Sequence, residues 1–495
     1  MSAVYDSEWL RHLEASEVPI GYEQYLISTS SPQSFSLGTG NDILSLAFGK
    51  ITREIKHELI LVTCFWARSS SLQGLAGLLL LLSAKAVSGG SKIRVRICFS
   101  SLSFFQKLFH TTSEAGYVYK PTEWFSKLGL PAPESLPGLD LQVKSVFILP
   151  LSVMHPKFII IDRETCLLPS CNVSWEDWLE GCIEVRGPVV KSVVQFWQSF
   201  WGRYANFCLP TQQDWPSLYD GKPAPSHMLK QDAELPYGLN KNANTNVKAR
   251  GDSLLSDNTP LPSTIMLPQD QIRTVFLPSQ YHRNPVFRPF WFQQAPRPPA
   301  TPLNIFVLNL VDNAQQTIFM QTPNLTSPPV LSAILSALSR GVNIRIVTNE
   351  RLMWLEQLVT AGTTTPRCVQ ILVTEHKRML DKYTAKSGTD PESSADTRPG
   401  VFCVGYYSPR PEDQYRHTAD GGFPEQSHLK LTIVDGEVVV LGSGNMDRAS
   451  WYTSQELGVA FYSKQLAKAI RGAVEKALLW RVVKVYESEH IWGTR

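Results

Sequence analysis

The chain has 495 residues, with 47 Lys and Arg against 44 Asp and Glu, a formal net charge of +3, and 43% hydrophobic and 18% charged side chains. That is an ordinary globular composition, and it excludes a wholly disordered chain, a small disulfide scaffold and a polycationic nucleic-acid coat. At roughly 100 to 200 residues per domain, the length allows two to four domains.

Residues 1–34 are read as an N-terminal segment. Its first part carries Asp6, Glu8, Glu14, Glu17 and Glu23 and lacks the basic start and apolar core of a signal peptide, so a cytoplasmic location is expected, with at most peripheral membrane contact. An amphipathic run containing Ile43, Leu44, Ala47, Ile51 and Ile55 predicts a helix, followed by a strand from Leu59 to Phe65. The Leu-rich stretch from Leu72 to Val87 predicts a second helix, and its greasiest part, Leu75 to Leu82, falls short of the ~20 apolar residues that cross a bilayer. A strand from Ile93 to Cys98 comes next. The eight cysteines form no Cys-x-x-Cys pair and are expected to be buried thiols.

From about 210 to 267 the sequence turns rich in Pro, Ser, Asn, Asp and Lys and loses periodicity, which predicts an irregular connector between a first domain (35–209) and a second (268–495). The second half repeats the order of the first: helix from Leu303 to Ala314, strand from Thr317 to Thr322, helix from Val330 to Ser339, strand from Val342 to Val347. Apolar strands alternating with helices predict α/β domains with mostly parallel sheets covered on both faces. The polar stretch from Thr384 to Arg398 is expected to be a long surface loop, and with the segment Lys120 to Leu139 it is expected to cover a cleft.

The chemistry is concentrated late in each half. Met154-His155-Pro156-Lys157 runs through four apolar residues to Asp162, and Ser427-His428-Leu429-Lys430 runs through four more to Asp435; both are His-x-Lys-x4-Asp. Each is followed by Ser-x-Asn, as Ser170-Cys171-Asn172 and as Ser443-Gly444-Asn445. Glu184 then follows His155 by 29 positions, and Glu456 follows His428 by 28. If the motif lies on a strand, residues two apart share a face, so each His and its Lys point into one cleft. Two His, two Lys and two Asn suit a phosphodiester: the Lys and Asn donate to the non-bridging oxygens, one neutral His attacks phosphorus, and the other moves the proton. The two lysines supply the positive charge, so no metal or cofactor is expected. A lone His on an apolar strand is more often a packing residue than a catalyst, and it is the second copy at equal spacing that reverses those odds.

These motifs resemble those of the phospholipase D superfamily, whose single-chain members carry His-x-Lys-x4-Asp followed by Gly-Ser-x-Asn twice. The resemblance extends from about residue 35 to 485 in element order. It implies two similar α/β/α sandwich domains related by a pseudo-twofold axis, one active site at their interface, and a phosphohistidine intermediate. It also implies that a downstream acid orients the histidine of the opposite half, so that Glu456 would hold His155 and Glu184 would hold His428. Asp162 and Asp435 would support the local fold, together with Ser170 and Ser443. The first half departs from the pattern with Pro169 where the family prefers Gly, which predicts a reshaped turn and a weaker phosphate contact for Asn172 than for Asn445.

Substrate class is less legible, because the resemblance spans phospholipases, phosphatidyltransferases of the cardiolipin-synthase kind and nucleases. The near-neutral charge favours phospholipid as substrate, with DNA or RNA as the alternative and an inactive binding protein as a third reading. The basic stretches Lys92 to Arg96 and Lys476 to Lys484 are the segments a nuclease would use. The aromatic cluster Pro285 to Phe292, and Trp175, Trp178, Trp451 and Tyr452 after the two Asn, are candidates to line a lipid groove or wall the cleft. One chain supplies both motifs, so a monomer is expected.

Overall fold

The computed structural model describes Trp9, Leu13 and residues 26–102, 115–148, 152–203, 261–282, 297–387, 397–410 and 424–489. The expected aromatic cluster at 285–292 lies outside these residues, as do 210–260 of the connector and 388–396 of the expected long loop.

The first half contains β1 (Ile27–Gly38), α1 (Gly40–Glu54), β2 (Glu58–Phe65), α2 (Ser70–Ser88), β3 (Ile93–Ser101), β4 (Tyr117–Tyr119), β5 (Leu139–Ser145), β6 (Phe158–Ile161), β7 (Thr165–Pro169), β8 (Trp178–Arg186) and α3 (Pro188–Phe200), followed by β9 (Ser263–Met266). Its sheet runs in the order β4, β5, β3, β2, β6, β7, β8, β1, β9. The second half contains β10 (Ile272–Ser279), α4 (Pro302–Asp312), β11 (Thr317–Gln321), α5 (Pro328–Ser339), β12 (Asn343–Thr348), α6 (Trp354–Ala361), α7 (Thr365–Ser387), β13 (Phe402–Tyr407), β14 (Gln426–Ser427), β15 (Leu431–Val434), β16 (Val438–Gly442), α8 (Arg448–Tyr452), β17 (Glu456–Tyr462), α9 (Lys464–Leu478) and β18 (Val482–Glu487). Here the order is β18, β13, β12, β11, β15, β16, β17, β10, β1.

Both sheets are mixed, which corrects the expectation of mostly parallel sheets. Within these two strand orders parallel pairing joins β2, β3 and β5, and likewise β11, β12 and β13, while the short β14 pairs parallel with β8 outside them. The reason is local. Asp162 to Glu164 and Asp435 to Glu437 are turns too short for a crossover, so each motif strand folds back on the next as an antiparallel hairpin.

The strand β1 joins the two sheets. Ile27 to Ser30 pair with β10, while Ser31 to Gly38 pair with β8, with an irregularity between Pro32 and Ser34. The strand β1 therefore starts ahead of the expected boundary at residue 35. The connector's expected limit at 267 also gives way, since β9 pairs with β1 inside it. Further contact between the halves comes from α3 and β10, whose Phe196 and Phe276 rings meet edge to face with centroids 5.9 Å apart.

The helices start where the sequence supplies caps: Thr39 and Asp42 form a capping box on α1, and Ser69, Thr301 and Ser463 cap α2, α4 and α9. By length and composition α2 is apolar enough to cross a membrane, but Leu72, Leu75, Leu78, Leu79 and Leu82 are buried against the sheet. The expected loop at Thr384 is helical, because α7 continues to Ser387. Arg94 and Arg96 of the basic stretch on β3 are paired, Arg94 with Glu58 and Arg96 with Asp140.

Candidate functional site

Each motif aspartate sits at the hairpin turn with a left-handed backbone, φ 48° at Asp162 and 52° at Asp435. The Asp162 carboxylate accepts from the backbone N–H groups of Lys56, His57 and Glu58 at 2.7–2.8 Å. Asp435 does the same for Gln315, Gln316 and Thr317 at 2.7–2.9 Å. These contacts fasten the start of β2 and of β11 to the motif hairpin, at the end of the strand remote from the histidine.

The histidines precede the strands. Met154 to Lys157 lie before β6 and His428 to Lys430 lie between β14 and β15, so the shared cleft does not arise from strand alternation alone. What aims them is pairing with the opposite half. The His155 N–H donates to the Gln455 carbonyl at 3.0 Å, and the His428 N–H donates to the Leu179 carbonyl at 2.9 Å. In each case the next residue on the opposite strand is a glutamate, Glu456 or Glu180.

That register fixes the acids. His155 Nδ1 lies 2.9 Å from Glu456 Oε2, and His428 Nδ1 lies 2.8 Å from Glu180 Oε1. The first pairing matches expectation and the second corrects it, since Glu184 was the expected partner of His428. Glu184 is four residues further along β8, on the same face but roughly 13 Å away at ~3.3 Å per residue. There its carboxylate pairs with Lys50 at 2.9 Å and accepts from Ser34 Oγ at 3.2 Å. The spacing misled because α8 separates Asn445 from Glu456, whereas Asn172 reaches β8 without a helix.

The serines hold these acids in turn. Ser443 Oγ donates to Glu456 Oε2 at 2.5 Å and accepts from the Leu457 N–H; Ser170 Oγ donates to Glu180 and accepts from the Gly181 N–H. The Ser170 N–H bonds the Gly181 carbonyl at 2.8 Å, as the Ser443 N–H bonds that of Leu457 at 2.9 Å. Pro169 therefore leaves the turn intact, contrary to the expected reshaping, because it ends β7 and the donors that matter belong to its neighbours.

The asparagines differ in the opposite sense to the one expected. Asn172 uses its oxygen to accept from the Phe65 N–H at 3.2 Å, which leaves its NH2 for a ligand oxygen. Asn445 directs its NH2 to Asp447 at 3.0 Å, and its Oδ1 is buried without a partner. Both lysines are buried and bond the carbonyl of their own histidine, Lys157 to His155 at 2.9 Å and Lys430 to His428 at 2.6 Å.

Burial and mutual fields set the ionisation. Burial lowers His155, aided by Lys157 and opposed by Glu456; burial with Lys430, Lys157 and His155 holds His428 well below its ordinary range. Burial pushes Glu180 up to about 7 against the pull of Lys430, and burial brings Lys430 down to about 7 against the pull of Glu180. Groups from both halves thus act on one another, burial favouring the neutral ring of each histidine, and with each Nδ1 facing a carboxylate Nε2 is the nitrogen left for chemistry.

Of the expected aromatic walls, Trp178 is in place, its ring centroid 4.8 Å from that of His428. Trp451 and Tyr452 are buried in the core, and Trp175 is exposed. His376 bonds the Gly400 carbonyl and the Tyr486 hydroxyl in a packing role. Among the described residues no group of three His, Cys, Asp or Glu is placed to hold a metal ion.

Residues 307–478 match the family model described as "Cardiolipin synthase, PLD-like domain". That segment is thus similar to a phospholipase D-like domain, and the resemblance drawn from the paired motifs to the phospholipase D superfamily is borne out. Similar solved structures include phosphatidylserine synthase from Haemophilus influenzae Rd KW20, 12% identical, covering 92% of this chain and 89% of that one with a TM-score of 0.48. The phospholipase D family member Nuc from Salmonella typhimurium is 21% identical, covering 37% of this chain and 90% of that one with a TM-score of 0.23. Polyphosphate kinase from Porphyromonas gingivalis is 11% identical, covering 94% of this chain and 52% of that one with a TM-score of 0.41. No curated protein matches the sequence.

Proposed function

We propose that the two halves are similar α/β/α sandwich domains related by a pseudo-twofold axis, and that the site between them cleaves or transfers the phosphatidyl group of phospholipids through a phosphohistidine. The observation that carries this reading is the reciprocal pairing of each histidine with a carboxylate from the other half. A carboxylate on Nδ1 fixes the tautomer, steadies the imidazolium that forms, and presents Nε2 to phosphorus.

In the first step Nε2 of one histidine bonds phosphorus while the bond to the head-group oxygen breaks, and the opposite imidazolium gives that oxygen its proton. In the second, the same opposite histidine takes a proton from water or an alcohol as its oxygen bonds phosphorus and the P–N bond breaks. Lys157, Lys430 and the amide NH2 of Asn172 stabilise the non-bridging oxygens. Asn445 borders the site, its NH2 turned to Asp447 until a ligand competes for it.

Phospholipid is preferred over nucleic acid because the basic residues on β3 that a nuclease would present are neutralised by Glu58 and Asp140. The test is transphosphatidylation in EDTA with phospholipid vesicles and 1-butanol, followed by mass spectrometry. Phosphatidylbutanol from the wild type and none from the His155→Ala/His428→Ala protein supports the reading. If neither protein yields lipid product and the wild type cleaves labelled DNA or RNA, the nuclease reading replaces it.

A further inference from the structure

We propose that Ser100 and Asn349 are positioning residues, one for each histidine, which grip the residue before His155 and before His428 and so aim both rings at their carboxylates. The inference rests on the reading of the two histidines as the reacting groups and names what keeps each of them in place.

The two side chains occupy one place in the two halves. The motif aspartates hold the N–H groups of Glu58 and Thr317, whose partners on the next strand are Arg94 and Asn343. Ser100 lies six residues past Arg94, near the end of β3, and Asn349 lies six past Asn343, just beyond β12. The neighbouring strands keep the same count. Thr63, five residues past Glu58, accepts from the Val173 N–H at 3.2 Å, and Thr322, five past Thr317, accepts from the Met446 N–H at 3.0 Å. Val173 and Met446 directly follow Asn172 and Asn445, so the ends of the parallel strands hold the same points of the motif segments in each half.

Backbone geometry explains why the histidines need such a grip. Successive N–H groups of an extended chain face opposite edges. The His155 and His428 N–H groups are spent on the opposite half, on the Gln455 and Leu179 carbonyls. The N–H just before each therefore turns back into its own half, and there one side chain receives it. Met154 N–H donates to Ser100 Oγ at 3.0 Å, and Ser427 N–H donates to Asn349 Oδ1 at 2.9 Å. Asn349 also donates from Nδ2 to the Ser427 carbonyl at 2.8 Å. That carbonyl and the His428 N–H belong to one peptide group, which is thus held by Asn349 on one side and by Leu179 of the other half on the other. Gln321 Nε2 adds a bond to Ser427 Oγ at 2.6 Å.

Ser100 and Asn349 are 0% and 1% exposed, so they act through the backbone they hold rather than on substrate. Met154 and Ser427 are buried as well, and an N–H deprived of its acceptor there finds another only if the segment shifts. One peptide further on, that shift reaches the histidine–carboxylate contacts of 2.9 and 2.8 Å. Because Asn349 grips both the N–H and the carbonyl of Ser427, its loss should be felt more than that of Ser100.

The test uses full-length protein containing isotope-labelled histidine, with the two ring resonances assigned by their absence in His155→Ala and His428→Ala. Ser100→Ala should move the Nδ1–H resonance of His155 and leave that of His428 in place, and Asn349→Ala should do the reverse. On phospholipid each variant should lower kcat by about tenfold or more, as misplacing a reacting group does, with little change in KM. Thermal midpoints confirm the fold, and Ser100→Ala, which removes a single oxygen, keeps the test decisive if Asn349→Ala does not fold. Resonances that stay in place in a folded variant, or that move equally for both histidines as general loosening would make them, would overturn the proposal. Selective shifts in a protein whose wild type turns over no lipid would leave the positioning standing and remove the proposed chemistry. Lipid turnover by the wild type with unmoved resonances in the variants would do the reverse.

Discussion

His428 Nδ1 and Glu180 Oε1 stand 2.8 Å apart, bridging 248 positions of sequence, both nearly sealed from solvent. The contact decides between two acids on one strand. Glu180→Gln and Glu456→Gln should each lower kcat by about 10² to 10⁴-fold, as loss of a carboxylate that fixes a catalytic tautomer does, with little change in KM. Glu184→Gln, which removes ion pairs with Lys50 and Arg186 remote from both histidines, should leave kcat within about twofold. Steady-state kinetics of the three variants check this, and a large loss confined to Glu184→Gln would restore the assignment drawn from spacing.

Asp162 and Asp435 predict a separation of stability from chemistry. Each carboxylate satisfies three backbone donors at the start of a central strand. Asp162→Ala should cost about 1–3 kcal/mol, the range for leaving buried donors unpaired, and should retain turnover per folded molecule. Asp162→Asn should cost less, since Asn tolerates the left-handed backbone and keeps one acceptor. Urea titrations alongside active-site-normalised rates read both effects.

Trp178 tests how burial tunes the site. Its ring covers His428 at 4.8 Å, and burial is the main reason that histidine is held well below its ordinary range. Trp178→Ala should admit water, raise the His428 pKa and move the acidic limb of the kcat/KM profile to higher pH, whereas Trp178→Phe should move it less. A pH profile unchanged in both variants would separate the ring from the ionisation.

Lys430 gives a stability signature. Burial brings its ammonium down to about 7, while the unfolded chain retains an ordinary lysine near 10.5. Between those values the unfolded state binds more protons, so stability from this group grows as pH rises from about 7 toward 10.5 and levels off below about 7. The thermal midpoint of the wild type relative to Lys430→Gln should therefore increase from pH 7 to pH 9. A difference flat across that range would mean the buried site holds its charge differently.

Much of the site was legible in sequence because its parts are local. His155 with Lys157, His428 with Lys430, and the Asp and Ser-x-Asn segments fall at fixed offsets within one hairpin, and the second copy made each more credible. Glu180 was not legible. Its partner lies 248 residues away, and the choice between it and Glu184 depends on the register of β14 against β8, which a three-residue difference in the preceding loop resets. The sheets were misjudged for a related reason: apolar runs such as Phe158 to Ile161 look alike in parallel and antiparallel strands, and only the short turns at Asp162 and Asp435 distinguish them.

The most direct test of the account is to trap the covalent intermediate. Wild-type protein mixed with phospholipid vesicles in EDTA, quenched within milliseconds and digested at alkaline pH, should yield one peptide, containing His155 or His428, that carries a phosphatidyl mass. That adduct should vanish when its own histidine is replaced by Ala and persist, slowly discharged, when the opposite histidine is replaced. Turnover of phospholipid with no adduct on either histidine, or full activity in either single Ala variant, would contradict it.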